Sequence, residues 1–197
     1  MNIHLIDQKN ILSRKMTKFK EIPLMSFDPV ICNKKVTSCV IKSLIWEAIN
    51  FDFFFDYQLF PSNIMCAHGE WFEKNRSMQL GDTIIQQIYL PPFNLFSLKL
   101  IAGVRIISII NESKKKEFTY QTLRGHVESG ISTFTFAKQE NGEVLFSINT
   151  ISRPSNNLNN KIGFLFALPY QRYCTNQVLK NVNKQLEIQI LKSEINQ

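Results

Sequence analysis

A chain of 197 residues with 44% hydrophobic and 20% charged residues has the balance of a globular domain, which excludes disordered and fibrous classes. Lys and Arg number 23 against 16 Asp and Glu, a net charge of +7. The cations are scattered apart from Lys34-Lys35 and Lys114-Lys115-Lys116, and no nucleic-acid reading motif accompanies them, so a nucleic-acid partner is not expected.

The four cysteines, Cys32, Cys39, Cys66 and Cys174, form no C-x-x-C pair and no Cys/His cluster, so reduced thiols are expected and a zinc site is not. Asp7 and Gln8 follow Leu5-Ile6 too soon for a signal-peptide core. The most apolar run, residues 94–110, carries Lys99 and Arg105, short of the ~20 apolar residues a spanning helix needs. A soluble cytoplasmic protein with no transmembrane segment is the expectation. Phenylalanine is abundant, at 16 residues, and favours a wide, aromatic-lined interior.

Residues 1–32, broken by Pro23 and Pro29, read as an N-terminal extension that either packs on the domain or stays loose; residues 33–197 read as a single domain. In residues 34–50, Val36, Val40 and Leu44, with Ile41, Ile45 and Ala48 beside them, sit at helical spacing and predict an amphipathic helix capped by Asn33. The aromatic stretch from Phe51 to Met65 predicts a short strand or turn ending at Phe60-Pro61. Thr83 to Leu90 alternates as a strand, stopped by Pro91-Pro92, and Leu98 to Ile110 is a long β-branched strand. Two more strands are expected near 117–123 and 131–138, then a hairpin at Asn141-Gly142 and a strand ending at Pro154. A polar loop "SNNLNN" follows. The last element is a long amphipathic helix with Tyr170, Cys174, Val178, Val182, Leu186 and Ile190 at four-residue steps, beside Tyr173 and Leu179. Lys180, Lys184 and Glu187 lie on its solvated side. This order predicts an α+β helix-grip fold, a curved antiparallel sheet wrapped on the long C-terminal helix.

The stretch "FTYQTLRGHVESG", then "GEVLFSINTISRPSN", then "LPYQRY" at the opening of the last helix, resembles the family known as domain of unknown function 1990. The matching positions are Tyr120, Thr122-Leu123, Gly125-His126, Gly130, Ser152-Arg153-Pro154 and Gln171, and the likeness runs from about Val36 to Val182. Gln121 stands where the family usually has glycine, and Ile131-Ser132 where it has acidic residues. The resemblance implies a fold similar to START and Bet v 1-like proteins, and it implies no defined activity.

Within that stretch, Tyr120, His126 and Arg153 are candidate polar contacts for a ligand, and Phe134, Phe136 and Phe146 candidate apolar walls. His126 as a general base needs a partner, for which Glu128 is the nearest carboxylate; a backbone-capping role in a turn is the default. Arg153 reads equally as an anion clamp or as a structural ion pair with Glu128 or Glu143. Gly125 and Gly130 serve the backbone, through positive φ or a bulge. No nucleophile elbow, metal-ligand spacing or cofactor motif is present, so no catalytic residue, metal or cofactor is assigned. Three functions stay open: a binder of a small apolar ligand between sheet and helix, an enzyme of the same fold using His126 as acid/base, and a filled-core protein whose surface meets an unknown protein partner.

Overall fold

Alternation organises most of this chain. The structure, a computed structural model, describes residues 2–41, 46–92, 97–155 and 168–195. Eight strands form one antiparallel sheet: β1 (Asn2–His4), β2 (Asn33–Ile41), β3 (Met65–Gly69), β4 (Thr83–Leu90), β5 (Leu98–Asn111), β6 (Lys115–Thr122), β7 (Glu128–Lys138) and β8 (Val144–Pro154). Their order is β2-β8-β7-β6-β5-β4-β3, with β1 paired to β5 beside the end of β5 that β6 leaves uncovered. The last element is the helix Leu168–Ile195; three short helical pieces, α1 (Met16–Lys20), α2 (Asp52–Phe55) and α3 (Glu70–Glu73), precede it, so it is α4. The fold is the expected helix grip.

The strands predicted for residues 83–90 and 98–110 and for the three segments after them form where alternation places them, and the hairpin turns at Asn141-Gly142, where Gly142 N–H donates to the Gln139 carbonyl at 3.0 Å. Two expectations are corrected. Residues 33–41 are strand β2, not the start of a helix over 34–50, so Asn33 caps nothing. Four residues is one helical turn and also two strand periods, so Val36 and Val40 fit either pattern, and the β-branched content of "VTSCVI" favours the strand. They face outward, 68% and 44% exposed, while Lys35, Thr37, Cys39 and Ile41 face inward. Residues 42–45 lie outside the described residues, and Trp46–Ala48 is a 3-10 turn. In the aromatic segment after it the turn alternative holds and the strand does not: the helical turn α2 is followed by turns up to Phe60, because the rings must enter the core from several directions, and Phe54 contacts Phe55, Phe118 and Phe136 at 4.9–5.2 Å between ring centroids. The "SNNLNN" loop beyond Ser155 also lies outside the described residues.

One face of the sheet packs on α2 and α4, the other on the N-terminal segment. On the first, Val178, Val182 and Leu186 are fully buried with Phe54, Phe118 and Phe136; on the second, Leu12, Met16 and Phe19 cover Ile85, Ile101 and Leu123. Strand β4 serves both cores, with Ile84 and Ile88 on one face and Ile85 on the other. Tyr173, grouped with the apolar stripe by its spacing, is 40% exposed. Beside that stripe runs a ladder of amides. Asn181 donates to the carbonyl of Leu59 at 2.9 Å, Gln185 to that of Gln58 at 2.6 Å, and Gln189 both donates to the carbonyl of Asn50 and accepts from its N–H. The four-residue step keeps all three amides on one line of the helix. They fasten α4 to the backbone of residues 50–59.

Candidate functional site

Register builds the site. Across the face that meets α4, one row of opposed residues is Cys39, Phe146 and Phe136, and the next is Thr37, Ile148, Phe134 and Phe118. Large side chains fill these rows down to the helix. The following row is Lys35, Thr150, Ser132 and Tyr120, and the one after it brings Asn33, Ser152 and Gly130 together. Hydroxyls and a glycine cannot fill the same height as phenylalanines. A cavity of about 400 Å³ therefore opens under the first half of α4. Phe60, Ile64, Ile88, Phe134, Ile148 and Val178 form much of its apolar wall, and Tyr170 and Cys174 line it from the helix.

Gly130 is needed for the close approach of β7 to β8: a Cβ there would lie 2.6 Å from the Ser152 Cα and closer still to the Ile151 carbonyl. Gly125, at φ 90°, makes the turn between β6 and β7, closed by the N–H of His126 donating to the Leu123 carbonyl at 3.0 Å. That turn drives His126 inward to 9% exposure. The N–H of Glu128 donates to His126 Nδ1 at 3.0 Å, which places the imidazole proton on Nε2, 3.3 Å from Gln86 Oε1. The Gln86 amide nitrogen in turn donates to the Tyr57 hydroxyl at 2.8 Å. The Tyr57 and Tyr120 rings lie 6.1 Å apart between centroids, Tyr120 opposes Ser132 across β6 and β7, and the Ser132 hydroxyl lies 3.1 Å from that of Thr150. A string of polar groups thus leads from the Glu128 backbone toward the cavity floor.

Burial sets the electrostatics of this string. It pushes the His126 imidazole down to about 4, against the Glu128 carbonyl 3.1 Å from Nδ1, which favours the charged ring, so the ring is neutral at pH 7. It raises the Tyr57 and Tyr120 hydroxyls above their ordinary range. It lifts the Cys174 thiol to about 11, as an inert sulfhydryl on the apolar wall requires. At the mouth, burial lowers the Lys35 ammonium, and the neighbouring Arg172 charge lowers it further. Tyr170 donates to the backbone carbonyl of Tyr89 at 2.6 Å, tying the first turn of α4 to the end of β4.

Of the residues singled out in the sequence, Tyr120, His126 and Phe134 line the cavity. Phe136 and Phe146 are fully buried in the filled rows, with ring centroids 4.6 Å apart. Arg153 lies one residue beyond Ser152 and so on the opposite face of β8. His126 meets the main chain of Glu128, and its two nitrogens are engaged by that backbone and by Gln86. Sequence reasoning missed Gln86, Tyr57, Ser132, Thr150 and Lys35. The paired Gln86-Gln87 inside an otherwise apolar strand was the available signal, because a buried amide demands partners. Lys35 was hidden by the helical reading of its segment. No group of His, Cys, Asp and Glu among the described residues is placed to hold a metal ion.

The family model described as "Domain of unknown function (DUF1990)" matches residues 64–181, more than half of the chain. The chain belongs to this family. The match covers strands β3 to β8 and the first half of α4, and leaves out β2 with its cavity-lining Lys35. No curated protein matches the sequence. Among solved structures, the hypothetical protein jhp0584 from Helicobacter pylori aligns over 78% of this chain and 87% of its own, with a TM-score of 0.57 and 8% identity, a likeness of fold alone. Major latex-like protein 151 from Panax ginseng aligns over 78% and 97% at TM-score 0.47 and 17% identity. Protein CV1439 from Chromobacterium violaceum aligns over 79% and 97% at TM-score 0.47 and 16% identity. No helix among the described residues is long and apolar enough to cross a membrane.

Proposed function

We propose that this DUF1990 protein binds a small, mostly apolar molecule in the cavity between the sheet and the first half of α4. The observation that carries the reading is the contrast between neighbouring rows of one sheet face. Two rows are filled by phenylalanines and Ile148, and the next two are floored by hydroxyls and Gly130, leaving about 400 Å³ walled by apolar groups. Volume, apolar walls and a few placed polar groups are the ordinary recipe for a ligand pocket. The cavity-lining candidates are Tyr120, His126 and Phe134 from the sequence, joined by Ser132 and Thr150. His126 is a poor proton acceptor, since it is buried, neutral and engaged at both nitrogens, and its part is to hold Gln86 and through it the tyrosine pair.

The neutral fluorophore Nile red tests this. Saturable binding to the native protein is expected, and Val178→Phe, which fills the cavity from the helix side, is expected to abolish it while circular dichroism stays unchanged. Absence of saturable binding, or binding that a folded Val178→Phe protein retains, overturns the proposal.

A further inference from the structure

We propose that the molecule bound in this cavity is an amphipathic anion, its carboxylate or phosphate group held at the mouth by Lys35 and Arg172 and its apolar body lying against Phe134 and Ile148. The inference rests on the reading of the cavity as a ligand site and adds the chemistry of the ligand.

The geometry comes from register and from the start of α4. Lys35 opposes Thr150, which opposes Ser132, which opposes Tyr120, so a single cross-strand row leads from a cation at the sheet edge to the polar string in the interior. All four residues line the cavity. Arg172 reaches the same mouth from the first turns of α4, and Lys34 adds a third cation to the lining, against one carboxylate, Glu128. Glu128 accepts a hydrogen bond from the Ser152 hydroxyl at 3.3 Å and lies near enough to Lys35 to attract its ammonium. Neither Lys35 nor Arg172 forms an ion pair among the described residues, and the Lys35 ammonium reaches only the Thr175 hydroxyl, at 3.5 Å.

Burial and the Arg172 charge lower the Lys35 ammonium despite the opposing pull of Glu128, so the two cations repel one another across the opening. An anion between them reverses the sign of that interaction, and it gains charge-assisted hydrogen bonds from the guanidinium and ammonium groups. The hydroxyls extend the same cradle. The hydroxyls of Tyr120, Ser132 and Thr150 stand together at this row, the last two 3.1 Å apart, and a hydroxyl donates as well as accepts. A donor hydroxyl set beside two cations selects an acceptor-rich, negatively charged head group. Below that head, the filled aromatic rows offer only hydrocarbon contact. One polar pole and one apolar pole in a single cavity define an amphipathic occupant.

The test is displacement of bound Nile red by three ligands of equal chain length: dodecanoic acid, dodecyl phosphate and dodecanol. The two anions are expected to displace it at concentrations about tenfold below dodecanol, as one retained charge-assisted contact implies. The double variant Lys35→Gln/Arg172→Gln is expected to erase that advantage while leaving dodecanol unchanged. The stronger of the two anions identifies the head group as carboxylate or phosphate. Equal displacement by anions and alcohol overturns the head-group assignment while the cavity reading stands. An anion preference that survives in the double variant overturns the roles of Lys35 and Arg172. Failure of Nile red itself to bind overturns both the cavity reading and this inference.

Discussion

Gln86 joins His126 to Tyr57: its side-chain oxygen lies 3.3 Å from the imidazole Nε2, and its amide nitrogen donates to the tyrosine hydroxyl at 2.8 Å. Gln86 is 2% exposed and Tyr57 4% exposed, so neither partner has bulk water to replace the other. Gln86→Leu keeps the shape of the strand but leaves an imidazole N–H and a phenol without this partner. The expected loss is about 1–3 kcal/mol. Urea denaturation measures it, and a stability equal to the unaltered protein would mean that the string contributes nothing.

The same string makes stability depend on pH. His126 titrates at about 4 when folded, against an ordinary 6.5, because burial opposes its charged form. Between those values the unfolded chain binds a proton that the folded chain does not. Stability is therefore complete above pH 6.5, falls as pH drops toward 4, and falls no further from this group below that. The window corresponds to about 3 kcal/mol. His126→Gln should flatten the slope of unfolding free energy between pH 6.5 and 4, and an unchanged slope would mean the histidine is not held neutral. Below that window a second loss is expected from Glu70. Burial opposes its ionisation, but the Lys20 and Lys74 ammonium groups at 2.8 and 2.7 Å outweigh this and hold it at about 2. It loses stability as pH falls from 4.5 toward 2.

Gly130 faces a different constraint, one of space. A methyl group there meets the Ser152 Cα at 2.6 Å and the Ile151 carbonyl more closely, and both are backbone atoms that can move only if β7 and β8 separate. Gly130→Ala is expected to destabilise by about 1–3 kcal/mol, as overpacking does. It should also weaken Nile red binding, because the row containing Ser152 floors the cavity. Thermal unfolding and probe titration on the same sample separate the two effects.

Strands β4 to β8, the closing hairpin and the apolar stripe of α4 were legible in the sequence because each shows one clean period over many residues. Residues 33–41 were not, since Val36 and Val40 satisfy both periods and only pairing with β8 decides between them. Site residues were legible in proportion to their local oddity. Tyr120 and His126 stand out in their stretch, and both reach the cavity. Arg153 stands out as much, yet a one-residue step along β8 puts it on the other face. Phe134 and Phe136 are indistinguishable in sequence, and Phe134 borders open space because its row lies next to that of Ser132 and Thr150, which only the pairing of β7 with β8 reveals. The row Lys35, Thr150, Ser132 and Tyr120 spans four strands, so no window of sequence contains it.

That difference between two phenylalanines gives the sharpest separation of core from site. Phe136 is fully buried and packs against Phe51, Phe53, Phe54 and Phe146, with ring centroids 4.6–6.2 Å away. Phe134 is stacked on Phe118 at 5.0 Å on one side and borders the cavity on the other. Truncating Phe136 leaves a closed void in a packed aromatic cluster, with an expected cost of about 3–5 kcal/mol. Phe134→Ala merges its void with an existing cavity and costs less, since part of its surface already lacks packed neighbours. The ligand preferences should move the other way. Phe134→Ala is expected to admit longer alkyl chains in the displacement series, and Phe136→Ala to leave chain-length preference unchanged. If both variants shift chain length equally, the boundary between filled and open rows does not lie between Phe134 and Phe136.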